Sequence, residues 1–301
     1  MARVGREGDV DGAELPSMGS LLSRAARRLE SRAGDHGVAR LEAEVLLAHV
    51  MGVRREALFA EPVLDAPAIQ QFLNLVHQRE TTACPVAYLV GERSWLDLDL
   101  VVDSRALIPR PETELVAEAL FNLIDSGEVP SGPIADRGVG SGALSVAAAS
   151  RRSVVAVDKD SGALQVARVN VANYADRHPI HLLQGDGLSA VRADCFAAVV
   201  ANPPYIHPHE VESLPPDVRN HEPLCALVPE GGSVSASFLA LVRESMRALK
   251  PKGWLISEVG KGQASEVMEM MGGVGFTEIS VLDDLAGIAR VVVARCPLTE
   301  R

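Results

Sequence analysis

The strongest constraint on the fold is an alternation of short apolar runs with amphipathic helical stretches that starts at about residue 105. Seven runs predict strands, at Ile134 to Asp136, Val154 to Asp158, Ile180 to Gln184, Phe196 to Ala201, Trp254 to Val259, Thr277 to Leu282 and Ala289 to Ala294. Five stretches predict helices, at Glu112 to Ile124, Ala143 to Ser150, Gly162 to Tyr174, Ser235 to Leu249 and Gln263 to Met271. This alternation is typical of an α/β fold, a mostly parallel sheet with helices on both faces. The last two strands are joined by a connection too short for a helix, so the final strand should be antiparallel to its neighbour.

The chain before this region has a helical pattern. Spacings of three and four predict buried stripes at Leu22, Ala25, Ala26 and Leu29, at Val38, Leu41, Val45 and Ala48, and at Ile69, Phe72, Leu73 and Val76. Between Trp95 and Val102 leucines alternate with aspartates, which predicts a half-buried strand in a hairpin. The predicted domains are a disordered tail at 1–18, a helical domain at 19–86, a linking hairpin at 87–104 and the α/β domain at 105–301.

Composition argues against a protein that works mainly on nucleic acid. The formal net charge of the 301 residues is −11, whereas neutralising phosphates requires a basic face. The four cysteines are far apart without C-x-x-C spacing, which favours free thiols over a zinc site or disulfides. Residues 1–18 contain no apolar signal segment, and no apolar run approaches the ~20 residues that span a bilayer. We therefore expect a soluble, cytoplasmic, monomeric protein without direct contact to nucleic acid or membrane.

One tetrapeptide carries the clearest chemical signal. It consists of Asn202, Pro203, Pro204 and Tyr205. It follows a predicted strand directly and so lies at the strand's carboxyl end, where open α/β sheets bind ligands. The prolines have a fixed φ and no N–H, so the loop becomes a stiff rim of acceptors suited to a planar NH2 group. This predicts chemistry on an amide or exocyclic amine nitrogen, although an ordinary Pro-rich turn would have the same residues.

A glycine-rich turn follows the first predicted strand of the sheet. Its residues are Gly138, Val139, Gly140, Ser141 and Gly142. Glycines let the backbone approach a ligand closely, and the N-terminus of the next helix offers unpaired N–H groups. Such a turn also serves dinucleotides, so by itself it indicates only a nucleotide-like ligand.

Two acidic residues follow the next two strands. Asp158 lies about twenty residues beyond the turn, where a carboxylate can accept both hydroxyls of a ribose. Asp186 falls where an adenine amine could bind. Each has a simpler interpretation, since Asp158 could cap the next helix and Asp186 could belong to a Gly185-Asp186-Gly187 turn. The order of glycine turn, two acids and amide-binding tetrapeptide favours an S-adenosylmethionine methyltransferase that modifies a nitrogen.

The chain resembles the HemK-type release factor glutamine methyltransferases, which methylate the glutamine of the Gly-Gly-Gln loop in peptide chain release factors. The similarity extends from about Leu21 to Arg295. It rests on Gly91 to Ser94, Ile108 to Glu114, Gly138 to Gly142, Asn202 to Tyr205 and Val218 to Pro223. The run Pro109 to Glu114 is the most discriminating, because adenine methyltransferases with an Asn-Pro-Pro-aromatic motif do not usually share it. The resemblance implies a Rossmann-like seven-stranded methyltransferase sheet whose last strand is antiparallel, after a helical domain that recognises the substrate protein.

The resemblance also implies roles for individual residues. Gly138, Val139, Gly140, Ser141 and Gly142 would wrap the methionine part of S-adenosylmethionine, Asp158 would bind the ribose, and Asp186 and Gly187 would lie at the adenine. Asn202 would touch cofactor and substrate, and Asn202 to Tyr205 would form the substrate clamp. After methyl transfer, the cofactor product would be S-adenosylhomocysteine.

Two residues depart from the family pattern. Arg137 stands where an apolar residue is usual, and Gly187 where a bulky one is common. The first puts a charge beside the cofactor turn, and the second changes the packing expected around the adenine.

The loop after the clamp contains His207, His209 and Glu210, which resemble a metal cluster. A proline between the histidines makes a metal site a poor interpretation, and we predict none. Within the same loop we expect Arg219 to pair with Glu222.

Three other functions fit the same motifs. The exocyclic amine of adenine in DNA or RNA is also a planar NH2, but the net charge opposes it, and the compact basic group Arg24, Arg27 and Arg28 has the spacing of a solvated helix face. A ribosomal protein glutamine is a second acceptor. A non-catalytic descendant is a third possibility, which the intact Asn202, Asp158 and turn glycines oppose.

Overall fold

The computed structural model of the chain describes residues 16–60 and 62–298. The predicted tail at 1–18 lies outside the described residues except at its end, where Met18 begins a helix. The chain divides into two compact units, one up to Val90 and one from Gly91.

The first unit is helical. Its described elements are α1 (Met18–Ala33), α2 (His36–Met51), a 3-10 helix (Arg55–Ala60), α3 (Ala66–Thr82) and α4 (Val86–Val90). The side chains of Ser17, Asp35 and Asp65 accept hydrogen bonds from the first turns of α1, α2 and α3, which explains where these helices begin. Buried Arg79 on α3 pairs with Glu42 on α2 at 2.7 Å and ties these helices together.

The predicted stripes of α1 and α3 are confirmed, and that of α2 is wrong. The predicted residues of α1 are buried, and those of α3 are buried except for half-buried Leu73. On α2, Val38 and Leu41 are 46% and 45% exposed, and the buried face contains Ala39 and Ala43 instead. Apolar residues occur on more than one side of α2, so spacing alone does not identify the buried side. The buried face also contains Leu46, Leu47 and, from the predicted stripe, Ala48.

The second unit begins with the hairpin. Strands β1 (Glu92–Trp95) and β2 (Leu98–Val101) pair antiparallel, so a hairpin is present, but the strand predicted between Trp95 and Val102 is confirmed only from Leu98 to Val101. Leu96 lies in the turn with a φ of 51°. Trp95 and Leu98 are buried in the core of this second unit.

The main sheet has seven strands in the order β5–β4–β3–β6–β7–β9–β8. They are β3 (Ile134–Arg137), β4 (Val154–Asp158), β5 (Ile180–Gln184), β6 (Phe196–Ala201), β7 (Leu249–Glu258), β8 (Thr277–Asp283) and β9 (Ala289–Arg295). The pairs from β5 to β7 are parallel, and β9 is antiparallel to both of its neighbours. The predicted sheet and its antiparallel last strand are confirmed, and the largest error is that β7 starts at Leu249 rather than Trp254.

Helices cover both faces of the sheet. They are α5 (Glu114–Asp125), α6 (Ala143–Ala148), α7 (Ser161–Asn173), α10 (Val234–Ala248) and α11 (Ala264–Val274), and the short α8 (Pro216–His221) and α9 (Leu224–Leu227) precede α10. Residues of α5 and α6 pack in one core and residues of α10 and α11 in the other. Alternate residues of β6 enter the two cores, since Val200 belongs to the first and Val199 to the second. The central strands are therefore buried on both sides, as expected for a parallel sheet.

No single helix among residues 16–60 and 62–298 is long and apolar enough to cross a membrane. One bent pair, Leu224–Gly232 with Val234–Ala248, meets the length and composition test only when its two parts are taken together across a 92° bend. The second part is α10, whose apolar side chains such as Phe238 and Leu241 lie in the sheet core.

Candidate active site

A cleft with a volume of about 350 Å³ opens at the carboxyl ends of the parallel strands. Strand order reverses between β3 and β6, because the chain runs outward from β3 through β4 to β5 and then returns to the other side of β3. Ligands of open α/β sheets bind at such a reversal. Segments following β3, β4, β5 and β6 all line the cleft.

The sheet brings most of the predicted site residues to this cleft. Those that line it are Gly138, Val139, Gly140, Ser141, Asp158, Asp186, Gly187, Asn202 and Pro204. Gly142, Pro203 and Tyr205 are their chain neighbours and do not contribute to the lining. The roles predicted for all twelve residues remain predictions, but their common location follows from the topology.

The glycine turn needs its glycines for backbone reasons. Gly138, Gly140 and Gly142 have φ values of 88°, 55° and 88°, where a side chain is strained. A Cβ on Gly142 would lie 3.3 Å from the Cβ of Ala167, whereas a Cβ on Gly140 would meet no atom within 4 Å. Gly142 thus serves helix packing, and Gly140 leaves the cleft side of the turn open.

Asp158 ties the turn to the next strand. Its Oδ2 accepts from Gly140 N at 2.9 Å, and its Oδ1 accepts from Asp160 N at 2.9 Å. Asp160, not Asp158, caps α7, because its Oδ1 accepts from Gly162 N and Ala163 N. The simpler interpretation of Asp158 as a helix cap is therefore wrong. Burial raises the pKa of Asp158, and the two backbone donors oppose that shift.

Asp136, at the end of β3, is a buried carboxylate that sequence reasoning did not single out. Its Oδ2 accepts from Ser145 Oγ at 2.5 Å, and its Oδ1 has no hydrogen-bond partner. Burial, helped by the nearby charge of Asp158, raises the pKa of Asp136 to about 7. A buried carboxyl group therefore lies directly before the glycine turn, and its burial favours the neutral form.

The two departures from the family pattern are connected through Glu244 on α10. Arg137 Nε donates to Glu244 Oε2 at 2.9 Å, and Leu188 N donates to the same oxygen at 3.0 Å. A Cβ on Gly187 would lie 2.2 Å from Glu244 Oε2, so the carboxylate occupies space that a side chain at 187 would need. Arg137 is therefore a paired charge, and a side chain at position 187 would displace the Glu244 carboxylate from its present position.

Hydrogen bonds connect two side chains of the tetrapeptide, Asn202 and Tyr205, through Thr113 and Glu258. Asn202 Nδ2 donates to Thr113 Oγ1 at 3.0 Å, and Thr113 Oγ1 donates to Glu258 Oε2 at 2.5 Å. Tyr205 OH donates to Glu258 Oε1 at 2.9 Å. Glu258 is 1% exposed, and burial raises its pKa against these two donors. Burial and the Glu258 charge also raise the pKa of Tyr205, which keeps the phenol protonated.

The run before α5 holds Thr113 in place. Trp95 Nε1 donates to the carbonyl of Arg110 at 2.8 Å, and Arg110 Nη2 pairs with Glu222 Oε1 at 2.6 Å. Glu222 is buried, and its Oε2 also accepts from Ile108 N. The predicted pair of Arg219 and Glu222 is wrong.

Arg219 pairs instead with Glu212, whose side chain is exposed. The stronger partner for buried Glu222 is the more buried guanidinium of Arg110, which lies far away in sequence and which spacing along the loop does not reveal.

The remaining polar segments add no metal site. Pro208–Ser213 forms a 3-10 helix, and the ring of His207, just before it, stacks on that of His209 with centroids 5.3 Å apart. Within residues 16–60 and 62–298 no three His, Cys, Asp or Glu side chains are grouped to hold a metal ion. In the helical unit, Arg28 pairs with Glu80 at 2.5 Å, and Arg24 and Arg27 are exposed.

Sequence reasoning missed Thr113 and Glu258. Thr113 lies in the discriminating run Pro109 to Glu114, a motif that by itself indicates no role for the threonine. Glu258 lies in a predicted strand that is apolar apart from Ser257 and Glu258, and an acid in such a position is rarely buried unless it is paired. That signal could have marked it.

Two protein families match parts of the chain. The family described as PrmC N-terminal domain matches residues 20–91, and the family described as Conserved hypothetical protein 95 matches residues 100–226.

Individual relatives match nearly the full length. A release factor glutamine methyltransferase from Xylella fastidiosa (strain Temecula1 / ATCC 700964) is 34% identical over 288 residues, covering 94% of this chain and 99% of that protein. One from Rhodopirellula baltica is 37% identical over 266 residues, covering 84% and 88%. The hMettl16 catalytic domain, solved in complex with the MAT2A 3′UTR hairpin 6, superposes with a TM-score of 0.51. Its identity is 15% over 78% of this chain and 83% of that one, which is a likeness of fold alone.

The sheet order, the antiparallel last strand and the cleft at the strand reversal define a methyltransferase of the Rossmann-like class. The similarity covers 94% of the chain for the Xylella protein and 84% for the Rhodopirellula protein. The chain belongs to the release factor glutamine methyltransferase family.

Proposed function

We propose that this chain transfers the methyl group of S-adenosylmethionine to the side-chain amide nitrogen of the glutamine in the Gly-Gly-Gln loop of peptide chain release factors. The observation that carries the proposal is the orientation of the Asn202 side-chain amide at the cleft. Its Nδ2 is already bonded to Thr113, so its carbonyl oxygen is the atom available to a planar NH2. The names of the relatives support a release factor as the protein that supplies this amide.

The residues at the cleft fit S-adenosylmethionine. The volume of the cleft lies in the range of small-ligand pockets. Asp158 lines the cleft and offers carboxyl oxygens to the hydroxyls of a nucleoside. The open face at Gly140 leaves room for the ligand against the backbone. When bound, this cofactor supplies a methyl group on a positively charged sulfur.

Within the proposal, the cofactor is held by backbone and by acids. The methionine part would lie against the turn of Gly138, Val139, Gly140, Ser141 and Gly142, the ribose hydroxyls would donate to Asp158, and the adenine would lie beside Asp186 and Gly187. The Arg137–Glu244 pair closes the cleft on the Gly187 side, where a bulky side chain is common in the family.

At the substrate end, the protein must orient a weak nucleophile. An amide nitrogen is weakly nucleophilic because its lone pair is delocalised into the carbonyl. Asn202 Oδ1 and the carbonyl of Pro203 each accept one N–H of the glutamine, which turns the nitrogen towards the methyl group. These acceptors also favour the positive charge that grows on the nitrogen. The nitrogen gains the methyl group and loses one proton to solvent, since Tyr205 remains protonated and Glu258 is occupied by two donors.

The helical unit supplies recognition of the release factor in this proposal. The match of residues 20–91 to a domain found in this family supports the assignment. We keep the predicted segment 19–86 as the recognition domain and 87–104 as the linking hairpin.

The test is a methyl-transfer assay with labelled S-adenosylmethionine. A release factor, its Gly-Gly-Gln variant with Gln replaced by Ala, a ribosomal protein and duplex DNA are offered in parallel. Label is expected on the intact release factor alone, at the glutamine. Label that persists on the Ala variant, or that appears on ribosomal protein or DNA instead, contradicts the proposal.

A further inference from the structure

When Glu258 is ionised, the polar chain behind Asn202 has a direction, and this direction follows from proton counts. A threonine hydroxyl carries one proton, a tyrosine hydroxyl carries one, and an ionised carboxylate carries none. Thr113 gives its proton to Glu258 Oε2, and Tyr205 gives its proton to Glu258 Oε1. Thr113 therefore has only lone pairs left for Asn202.

This proton count determines which atom of the Asn202 side-chain amide faces Thr113. The oxygen and nitrogen of an amide side chain have nearly the same shape, so contacts decide which atom points where. An acceptor-only Thr113 oxygen requires Nδ2, which donates to it at 3.0 Å. If the amide turned over, Oδ1 would face the Thr113 lone pairs and the hydrogen bond would be lost.

We propose that Thr113 and Glu258 are positioning residues, which hold the Asn202 carbonyl oxygen towards the cleft so that it accepts an N–H of the substrate amide. The inference rests on the proposed function, because it concerns the amide that this function methylates. Neither residue was assigned a role by the sequence motifs. Thr113 reaches across 89 positions to Asn202, and Glu258 across 145 to Thr113.

The charge of Glu258 maintains this direction. Protonated Glu258 would be a donor as well as an acceptor, and the Thr113 proton would then be free to turn towards Asn202. The groups that face Glu258 are Thr113 and Tyr205 as donors, Glu112 as a like charge and Arg290 as a cation. Arg290 is shared with Asp284 at 3.0 Å, so its influence on Glu258 is divided. Turnover should therefore fall when the pH falls through the pKa of Glu258, which burial raises.

The first experiment compares Thr113→Val, Thr113→Ser and wild type on a release factor. Valine has the shape of threonine without an acceptor, and serine keeps the hydroxyl. Thr113→Val is expected to lower kcat on the order of 10- to 100-fold, because the substrate amide is no longer oriented. The KM for the release factor and the Kd for S-adenosylhomocysteine, measured by calorimetry, should stay within about threefold of wild type, and Thr113→Ser should restore most of kcat.

A matched control is Thr277→Val, at the exposed start of β8, where the hydroxyl contacts only the carbonyl of Arg295. It is expected to have wild-type kcat. Wild-type kcat in Thr113→Val, or equal loss in Thr113→Ser and Thr113→Val, overturns the inference.

The second experiment follows kcat against pH for wild type and Glu258→Gln. Glutamine accepts from Thr113 through its oxygen but cannot change charge. The acidic limb of the wild-type profile should be absent or displaced in Glu258→Gln, and an unchanged limb counts against the inference. Should Thr113→Val fail to fold, the Thr113→Ser and Glu258→Gln results decide the matter. A wild-type chain that leaves the release factor unmethylated overturns the proposed function itself, whereas an active wild type with a fully active Thr113→Val overturns only the positioning role.

Discussion

The two ends of the cleft are built in different ways. At the cofactor end, the contact between Gly140 and Asp158 joins residues only 18 positions apart through a backbone donor, and these residues lie in the turn after β3 and at the end of the neighbouring β4. At the substrate end, Asn202, Thr113, Glu258 and Tyr205 are joined by side chains separated by 89, 145 and 53 positions. The cofactor end is thus formed by backbone groups close together in sequence, whereas the substrate end forms only when distant segments of the sheet have come together.

This difference predicts different responses to substitution. Backbone donors survive most side-chain changes, so the cofactor end should lose affinity gradually. A chain of buried side-chain hydrogen bonds depends on every member, so the substrate end should lose turnover abruptly. This expected difference would be contradicted by a variant at the substrate end that loses cofactor affinity. It would also be contradicted by a variant at the cofactor end that loses only kcat.

The largest effect is expected from Asn202→Ala. It removes the acceptor for the substrate amide and leaves the glycine turn and Asp158 in place. Turnover on a release factor should fall on the order of 1,000-fold or more, while the calorimetric Kd for S-adenosylhomocysteine changes by less than about tenfold. Near-normal methylation by this variant would remove Asn202 from the reaction.

The next effect concerns stability at the cofactor end. Because the pKa of Asp136 is raised to about 7 from an ordinary 3.8, the folded state holds a proton that the unfolded state has lost between these values. The free energy of unfolding should therefore fall as pH rises from about 4 to 7, by up to a few kcal/mol from this group.

Asp136→Asn checks this sign. Denaturant unfolding of both proteins at pH 5 and pH 8 gives the difference between variant and wild type at each pH. The variant should gain relative to wild type at pH 8. A difference that does not depend on pH would mean that Asp136 titrates normally.

The sequence predicts the cofactor end of the site better than the substrate end. The positions of Gly138 to Gly142 and Asp158 follow from strand ends and local spacing, and all seven strands were found because apolar runs are a local signal. Arg110–Glu222 and Thr113–Glu258 could not be found this way, because nothing in either segment specifies a partner more than a hundred positions away. The error on α2 has a related cause: Val38 and Leu41 have suitable spacing, but neighbouring helices decide which side is buried.

A smaller effect is expected from Asp158→Ala, read against Asp158→Asn. The carboxylate accepts from Gly140 and Asp160 and, in the proposed function, from the ribose. Losing hydrogen bonds to a charged group should weaken S-adenosylhomocysteine binding about 10- to 100-fold, and Asn, which keeps one oxygen, should lose less. The kcat at saturating cofactor should change little. Calorimetry that shows an unchanged Kd for Asp158→Ala would contradict the ribose assignment.

The smallest effect separates two glycines of the same turn. Gly140→Ala has open space, so only the strain at a φ of 55° remains, about 1 kcal/mol of unfolding free energy. Gly142→Ala adds a contact of 3.3 Å to buried Ala167 on α7, and should cost roughly 1–3 kcal/mol because α6 and α7 must separate slightly. Chemical denaturation of both variants measures the difference. If Gly140→Ala is the more damaging of the two, packing against α7 is not what requires glycine at 142.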